Sequence, residues 1–188
     1  MLTKDQALEL LHKHTLNQNL RRHMFAVGVT MKALAQKLGY DPQEWEVLGL
    51  LHDADWEETK DKPNEHTKHT LNWLKEIGIS EGPIVHALMS HNRKFTYLAE
   101  LEGKMEWALE TCDELTGFIV AVTLVMPDKK IASVKIESIL KKWKTKEFAK
   151  AVDRTQIAQC EEKLKIPLHE FIQISLSAMQ NHHEELGL

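Results

Sequence analysis

The residues of this chain best equipped for chemistry are its histidines and a few aspartates. Eleven histidines occur in 188 residues, seven of them away from the two ends, and His52 is followed directly by Asp53 at the close of the apolar run LGLL. An imidazole nitrogen beside a carboxylate oxygen suits a borderline divalent ion (Mn, Fe, Co, Ni or Zn), whereas magnesium or calcium calls for oxygen ligands. Neighbouring residues on a helix point about 100° apart, so His52 and Asp53 can share one ion only where a helix is ending. The charged stretch after Asp53 meets that condition. Asp113 sits midway along the apolar segment ALETCDELTGFIVA, where a buried carboxylate is costly unless a cation accompanies it. Taken alone, Asp113 also reads as an exposed or capping aspartate, and His23 as a partly buried histidine with a hydrogen-bond partner.

These residues must be positioned by helices, because nearly every segment carries helical periodicity and none shows sustained alternation between hairpin turns. Thr3 and Gln6 have the spacing of a capping box that opens a first helix through about His12. After a polar loop at Asn17 to Asn19, the spacing of Met24, Val27, Met31, Leu34 and Leu38 predicts a second helix closed by Gly39. Asp41 caps a third with Pro42 at its first position, running through WEVLGLLHD. Residues 54–63 read as a loop. Further helices are expected at about 66–77, 83–91 and 104–125, the last ended by Pro127, followed by two or three shorter ones and a final helix at about 167–186. The expected fold is an all-α bundle in one domain.

Composition narrows the partners. Lys and Arg number 24 against 28 Asp and Glu, a formal charge of −4 with a sequence pI near 6.3. Nothing there favours a nucleic acid or an anionic membrane, which leaves a small solute or another protein. Locally the balance is uneven: nine acids and two lysines lie in 41–66, and eight lysines and three acids in 128–150. The lysine run is a solvated face, or part of it turns toward an anionic substrate. Cys112 and Cys160 are too few for a disulfide framework and read as reduced thiols. The N-terminal segment lacks the pattern of a signal peptide, and the longest uncharged apolar run, Phe118 to Met126, is far short of the roughly 20 residues of a membrane span. The expected location is the cytoplasm, with no membrane association.

The order His23, His52-Asp53, Asp113 resembles the H…HD…D signature of the HD-domain superfamily. HTKHTLNWLKEIGI (66–79) and IVHALMSHN (84–92) are similar to the intervening segments of HDIG-type members. LLHDADWE, DELTGFIVAVTLVMPDKK and FAKAVDRTQI extend the likeness, to a bacterial HDIG-type branch, over nearly the whole chain. The resemblance implies one HD domain over 1–188, with its core at about 20–125 and a C-terminal helical extension. It also implies that His66 and His91 join His23, His52, Asp53 and Asp113 as ligands of one or two divalent transition metal ions, with Asp53 shared between the two. The implied activity is hydrolysis of a phosphorylated small molecule, a nucleotide or other phosphoester, by metal-activated water. Glu57 and His86 are candidates to protonate the leaving oxygen, and Lys129 and Lys130 to meet the phosphate. His86 reads equally as helix surface, and His69 as a surface residue beside His66. Two positions depart from the family's pattern: Trp56 stands where many relatives carry Lys or Glu, and Asn92 where a second histidine often follows. Relatives with the same six ligands include di-iron oxygenases, so that class and a non-catalytic metal-binding module are the alternatives.

Overall fold

A computed structural model describes residues 2–188. The described residues are helical or irregular, with no strand among them, and the all-α expectation holds. Helix α1 (Lys4–His14) opens with the Thr3/Gln6 capping box, and Asp41 caps α3 (Pro42–Leu51) by accepting from the amides of Gln43 and Glu44. Between them α2 (Gln18–Leu38) begins earlier than its apolar spacing suggests. The Asn17 side chain accepts from the Asn19 and Leu20 amides, so a residue read as loop is the cap. Gly39, in the left-handed region at φ 78°, ends α2 and turns the chain back into α3.

The two helices then run antiparallel at very close range. A Cβ at Gly49 would sit 2.6 Å from the Cα of Gly28, so only glycine fits there. His23 and His52 flank this contact, five residues before Gly28 and three after Gly49. The glycine crossing thus brings the two imidazoles within reach of each other.

Next come a short α4 (Trp56–Thr59) inside the expected loop, α5 (Lys68–Glu76), α6 (Pro83–His91), a single-turn α7 (Arg93–Thr96) and the long α8 (Lys104–Leu124). Helix α8 is the central element. Met105, Ala108, Leu109, Cys112, Leu115, Phe118, Ile119 and Val122 are all buried, and α2, α6 and the later helices pack around it. The remainder is α9 (Ile136–Trp143), α10 (Arg154–Gln159) continued by a π-helical turn over Cys160–Leu164, α11 (Leu168–Asn181) and α12 (His183–Leu186). The expected single last helix is therefore two, broken at His182. Arg154 organises the lysine-rich segment. Its guanidinium lies over the rings of Phe118 and Trp143 and donates to the carbonyls of Trp143 and Phe148, leaving the lysines on the outside. No helix among the described residues is long and apolar enough to cross a membrane.

Candidate metal centre

His23 on α2, His52 at the end of α3 and Asp113 on α8 converge, each offering a ligand atom within 4.8 Å of the others. His23 Nε2 is 3.0 Å from Asp113 Oδ1 and 3.9 Å from Asp53 Oδ2; His52 Nε2 is 3.6 Å and 3.7 Å from the same two oxygens. Two ligand atoms each about 2.1 Å from one ion lie about 3.0 Å apart on an octahedral edge and about 3.4 Å apart on a tetrahedral edge. The 3.0 Å pair matches such an edge, and the other three lie about 0.2–0.5 Å beyond the longer one, a spacing that small side-chain shifts onto a shared cation would close. The most telling atom is His52 Nε2: its side chain has 0% exposure, its Nδ1 lies 2.8 Å from the Gly49 carbonyl, and Nε2 is buried with no hydrogen-bond partner. A ring that donates from Nδ1 presents a lone pair at Nε2, and burying that lone pair without a partner is costly unless a cation takes it.

Asp53 turns its other oxygen the opposite way. Oδ1 is 3.2 Å from His66 Nε2 and 3.4 Å from His91 Nε2. The one carboxylate therefore faces two sets of imidazoles, one on each oxygen. His52, Asp53 and His91 form a second compact ligand group.

His66 lies in a turn, two residues ahead of its helix, and Asp55 explains why. The Asp55 carboxylate is fully buried and accepts from His66 Nδ1 at 2.8 Å and from the amides of Thr67, His69 and Thr70 at 3.1, 3.1 and 3.2 Å. One side chain caps α5 and sets the His66 tautomer, so that Nε2 faces Asp53. Asn92 braces the same turn by donating to the carbonyls of Pro63 and His66. On the outer side, the ring of Trp56, 39% exposed, meets the His66 ring edge to face at 5.0 Å. His91 is secured from behind: Arg93 makes a two-pronged ion pair with buried Glu110, 2.9 Å on each arm, tying the end of α6 to α8 one turn before Asp113. Asp55 and Glu110 have no role in the sequence reading, and Asn92 enters it only as a departure from the family's pattern. A second aspartate two residues after Asp53, and a glutamate inside an apolar helix, were the available signals.

Charge in the cluster is mutually compensating. Burial would depress His52, but Asp53 and Asp113 outweigh it and push the imidazole up to about 9. Burial likewise opposes a charged His66, whose hydrogen bonds to Asp53 and Asp55 raise it to about 9. Against the upward push of burial, His52, His66 and His91 hold Asp53 well below the usual carboxylate range, and His23 and His52 do the same for Asp113. Without an ion, protons on His52 and His66 place positive charge beside these carboxylates.

Four residues expected at the site are not brought to it. Glu57 Oε2 accepts from the amides of Leu16 and Asn17, at 2.7 and 3.0 Å, so this carboxylate holds the turn between α1 and α2 instead of serving the leaving oxygen. His86 precedes His91 by five residues, about 140° around α6, and its Nδ1 is 2.8 Å from buried Glu106, the residue that caps α8. Lys129 and Lys130 are exposed past the far end of α8. Leu124 already lies about 16 Å along that helix from Asp113, and neither lysine makes an ion pair with a residue of the cluster. His69 is half-buried on α5, with Nδ1 3.0 Å from Glu58.

The family model described as HD domain matches residues 20–121, which contain all six clustered side chains. No curated protein and no solved structure matches the chain at a significant level.

Proposed function

We propose, since the chain belongs to the HD domain family of metal-dependent hydrolase type, that it is a phosphohydrolase acting on a phosphorylated small molecule. Two divalent ions would be held, one by His23, His52, Asp53 and Asp113, the other by Asp53, His66 and His91. What carries the reading is Asp53, whose two oxygens each lie 3.2–3.9 Å from a different set of imidazole nitrogens, with His52 Nε2 buried and unpartnered among them. Such ions make water nucleophilic near neutral pH and counter the charge of phosphoryl oxygens.

The chain's own residues supply orientation. Asp55 and Asn92 hold the His66 turn, the Gly49 carbonyl turns His52, and the Arg93–Glu110 pair fixes the end of α6 against α8. Trp56 covers the outer edge of His66 and keeps bulk water from that side of the ring. We place the chain in the HDIG-type branch on its LLHDADWE and HTKHTLNWLKEIGI segments, as one HD domain with the helices after about residue 125 as an extension. Both cysteines are buried free thiols, and burial pushes Cys160 up to about 12, which supports the reading that they have no redox role.

The experiment is metal analysis of the purified protein followed by phosphate release from a panel of phosphoesters with Mn, Co, Ni, Zn or Fe. Phosphate release with a redox-inert ion is the expected result. Iron-dependent oxygen consumption without phosphate release would overturn the hydrolase reading in favour of an oxygenase.

A further inference from the structure

A cavity of about 530 Å³ opens beside His23 and runs away from the ligand cluster between α2 and α8. That size falls within the range of about 300–1,000 Å³ typical of small-molecule sites. Its α8 wall is Gly117, Val120 and Leu124, four, seven and eleven residues after Asp113, which is the spacing of a single helix face. The face that turns Asp113 toward the cluster therefore continues as the floor of the groove. Ala26 on α2 and Leu186 and Leu188 from the end of the chain form the facing walls.

Three features give the groove a polarity. His23 belongs to both the cluster and the cavity, and Arg22 lines the cavity with its guanidinium packed against Gly187, where an added Cβ would lie 2.7 Å from it. Arg22 has no carboxylate partner among the described residues. Apart from Asn19 and the two glycines, the rest of the lining is aliphatic, and Leu124 is left 53% exposed. Gly117 faces open space: a Cβ there would meet nothing within 4 Å, so its missing side chain widens the groove and serves no packing contact. No Phe, Tyr or Trp lines the cavity, so it offers a nucleobase none of the aromatic planes on which bases commonly stack, and the aliphatic lining suits a hydrocarbon chain better.

We propose that this groove holds the hydrocarbon portion of the substrate, so that the substrate class is a monophosphate ester of an aliphatic alcohol, its phosphate at the cluster and beside Arg22. The proposal rests on the phosphohydrolase reading. Hydrolysis breaks the bond from phosphorus to the alkyl oxygen and forms one to the water oxygen. One water proton ends on the alcohol, and inorganic phosphate is the other product.

Binding and turnover test it separately. Methylphosphonate and octylphosphonate, which cannot be hydrolysed at phosphorus–carbon, are titrated calorimetrically into the metal-loaded protein. Each buried methylene is worth roughly fourfold in affinity, so a chain burying three or more of them should bind at least about fiftyfold tighter than methylphosphonate. Gly117→Leu, which fills the groove, and Leu124→Ser should each lower the octyl-to-methyl ratio at least about tenfold. Arg22→Gln should weaken both probes by the same factor. A wild-type ratio within about threefold of one, a ratio unmoved by Gly117→Leu, or tighter binding of adenosine monophosphate than of octylphosphonate would overturn the inference, whatever the protein hydrolyses. A strong chain-length preference without hydrolysis of any alkyl phosphate would instead overturn the hydrolase reading, and with it the assignment of the groove's occupant as a substrate.

Discussion

Asp55→Asn isolates the residue on which the second half of the cluster depends. The substitution keeps volume and shape, so it opens no cavity, but it replaces one acceptor oxygen with an NH2 group. Oδ1 accepts from His66 Nδ1 and the Thr67 amide, and Oδ2 from the amides of His69 and Thr70. Whichever way the amide is turned, two donors face a donor at a fully buried position. Leaving two buried donors unsatisfied costs about 1–3 kcal/mol each, and part of that relaxes, so the expected loss is about 3 kcal/mol. For a chain of this length about 1 kcal/mol corresponds to about 2–4 °C, which puts the fall in Tm at about 10 °C with the native state still populated. His66 also loses the partner that directs its Nε2, a change that typically weakens metal binding about 10–100-fold. Thermal melts of metal-free protein, together with calorimetric metal titrations, would show a destabilised variant with one tight site intact and the second weakened. A Tm within about 2 °C of wild type with both sites unchanged would refute the role given to Asp55.

Further outcomes follow from the same geometry. His66→Ala should lower bound metal from near two to near one per chain in elemental analysis and reduce turnover; two ions retained would remove His66 from the ligand set. Glu57→Gln should lower stability by about 1 kcal/mol through the α1–α2 turn while kcat is unchanged, and the double variant Lys129→Ala/Lys130→Ala should keep the wild-type KM; a large kinetic defect in either would restore these side chains to the site. Metal-free protein should show a defined pH dependence. His52 and His66 are raised from 6.5 to about 9, so their contribution is fully present below about 6.5 and is lost as pH rises through about 9. Asp53, Asp55 and Asp113 are lowered from 3.8, so theirs is present above that value and lost in acid. Melts across pH should therefore show metal-free stability declining from neutral toward pH 9, while apparent metal affinity rises over the same interval as the imidazoles release their protons. A metal-free Tm that climbs steadily through pH 9 would contradict the assignment.

What could be read from the chain was whatever depends on short-range pattern. The capping box at Thr3, the proline-led start of α3, the left-handed Gly39 and the apolar spacing of α2 are local signals, and the helices they announce are present. The H…HD…D order was legible because ligand types at those separations recur in the family. What escaped were interactions between segments distant in sequence. Asp55 reaches forward 11 to 15 residues to set the start of α5, and no periodicity announces a carboxylate that caps a helix so far away. Glu57 was a candidate proton donor because it follows Asp53 in a charged stretch read as loop, yet its partners are amides 40 and 41 residues earlier. Lys129 and Lys130 were candidates because they follow the helix that carries Asp113, but that helix runs eleven residues beyond Asp113 before it ends. The glycine crossing of Gly28 and Gly49, which brings His23 to His52, becomes meaningful only once two helices are known to touch there.

The most direct test of the central claim is anomalous diffraction at the Mn or Zn edge from crystals of the metal-loaded protein. Two peaks about 3.5–4 Å apart, one beside His23, His52 and Asp113 and the other beside His66 and His91, with one Asp53 oxygen directed to each, are the predicted result. A single peak that Asp53 does not contact, or no peak among these six side chains, would contradict it.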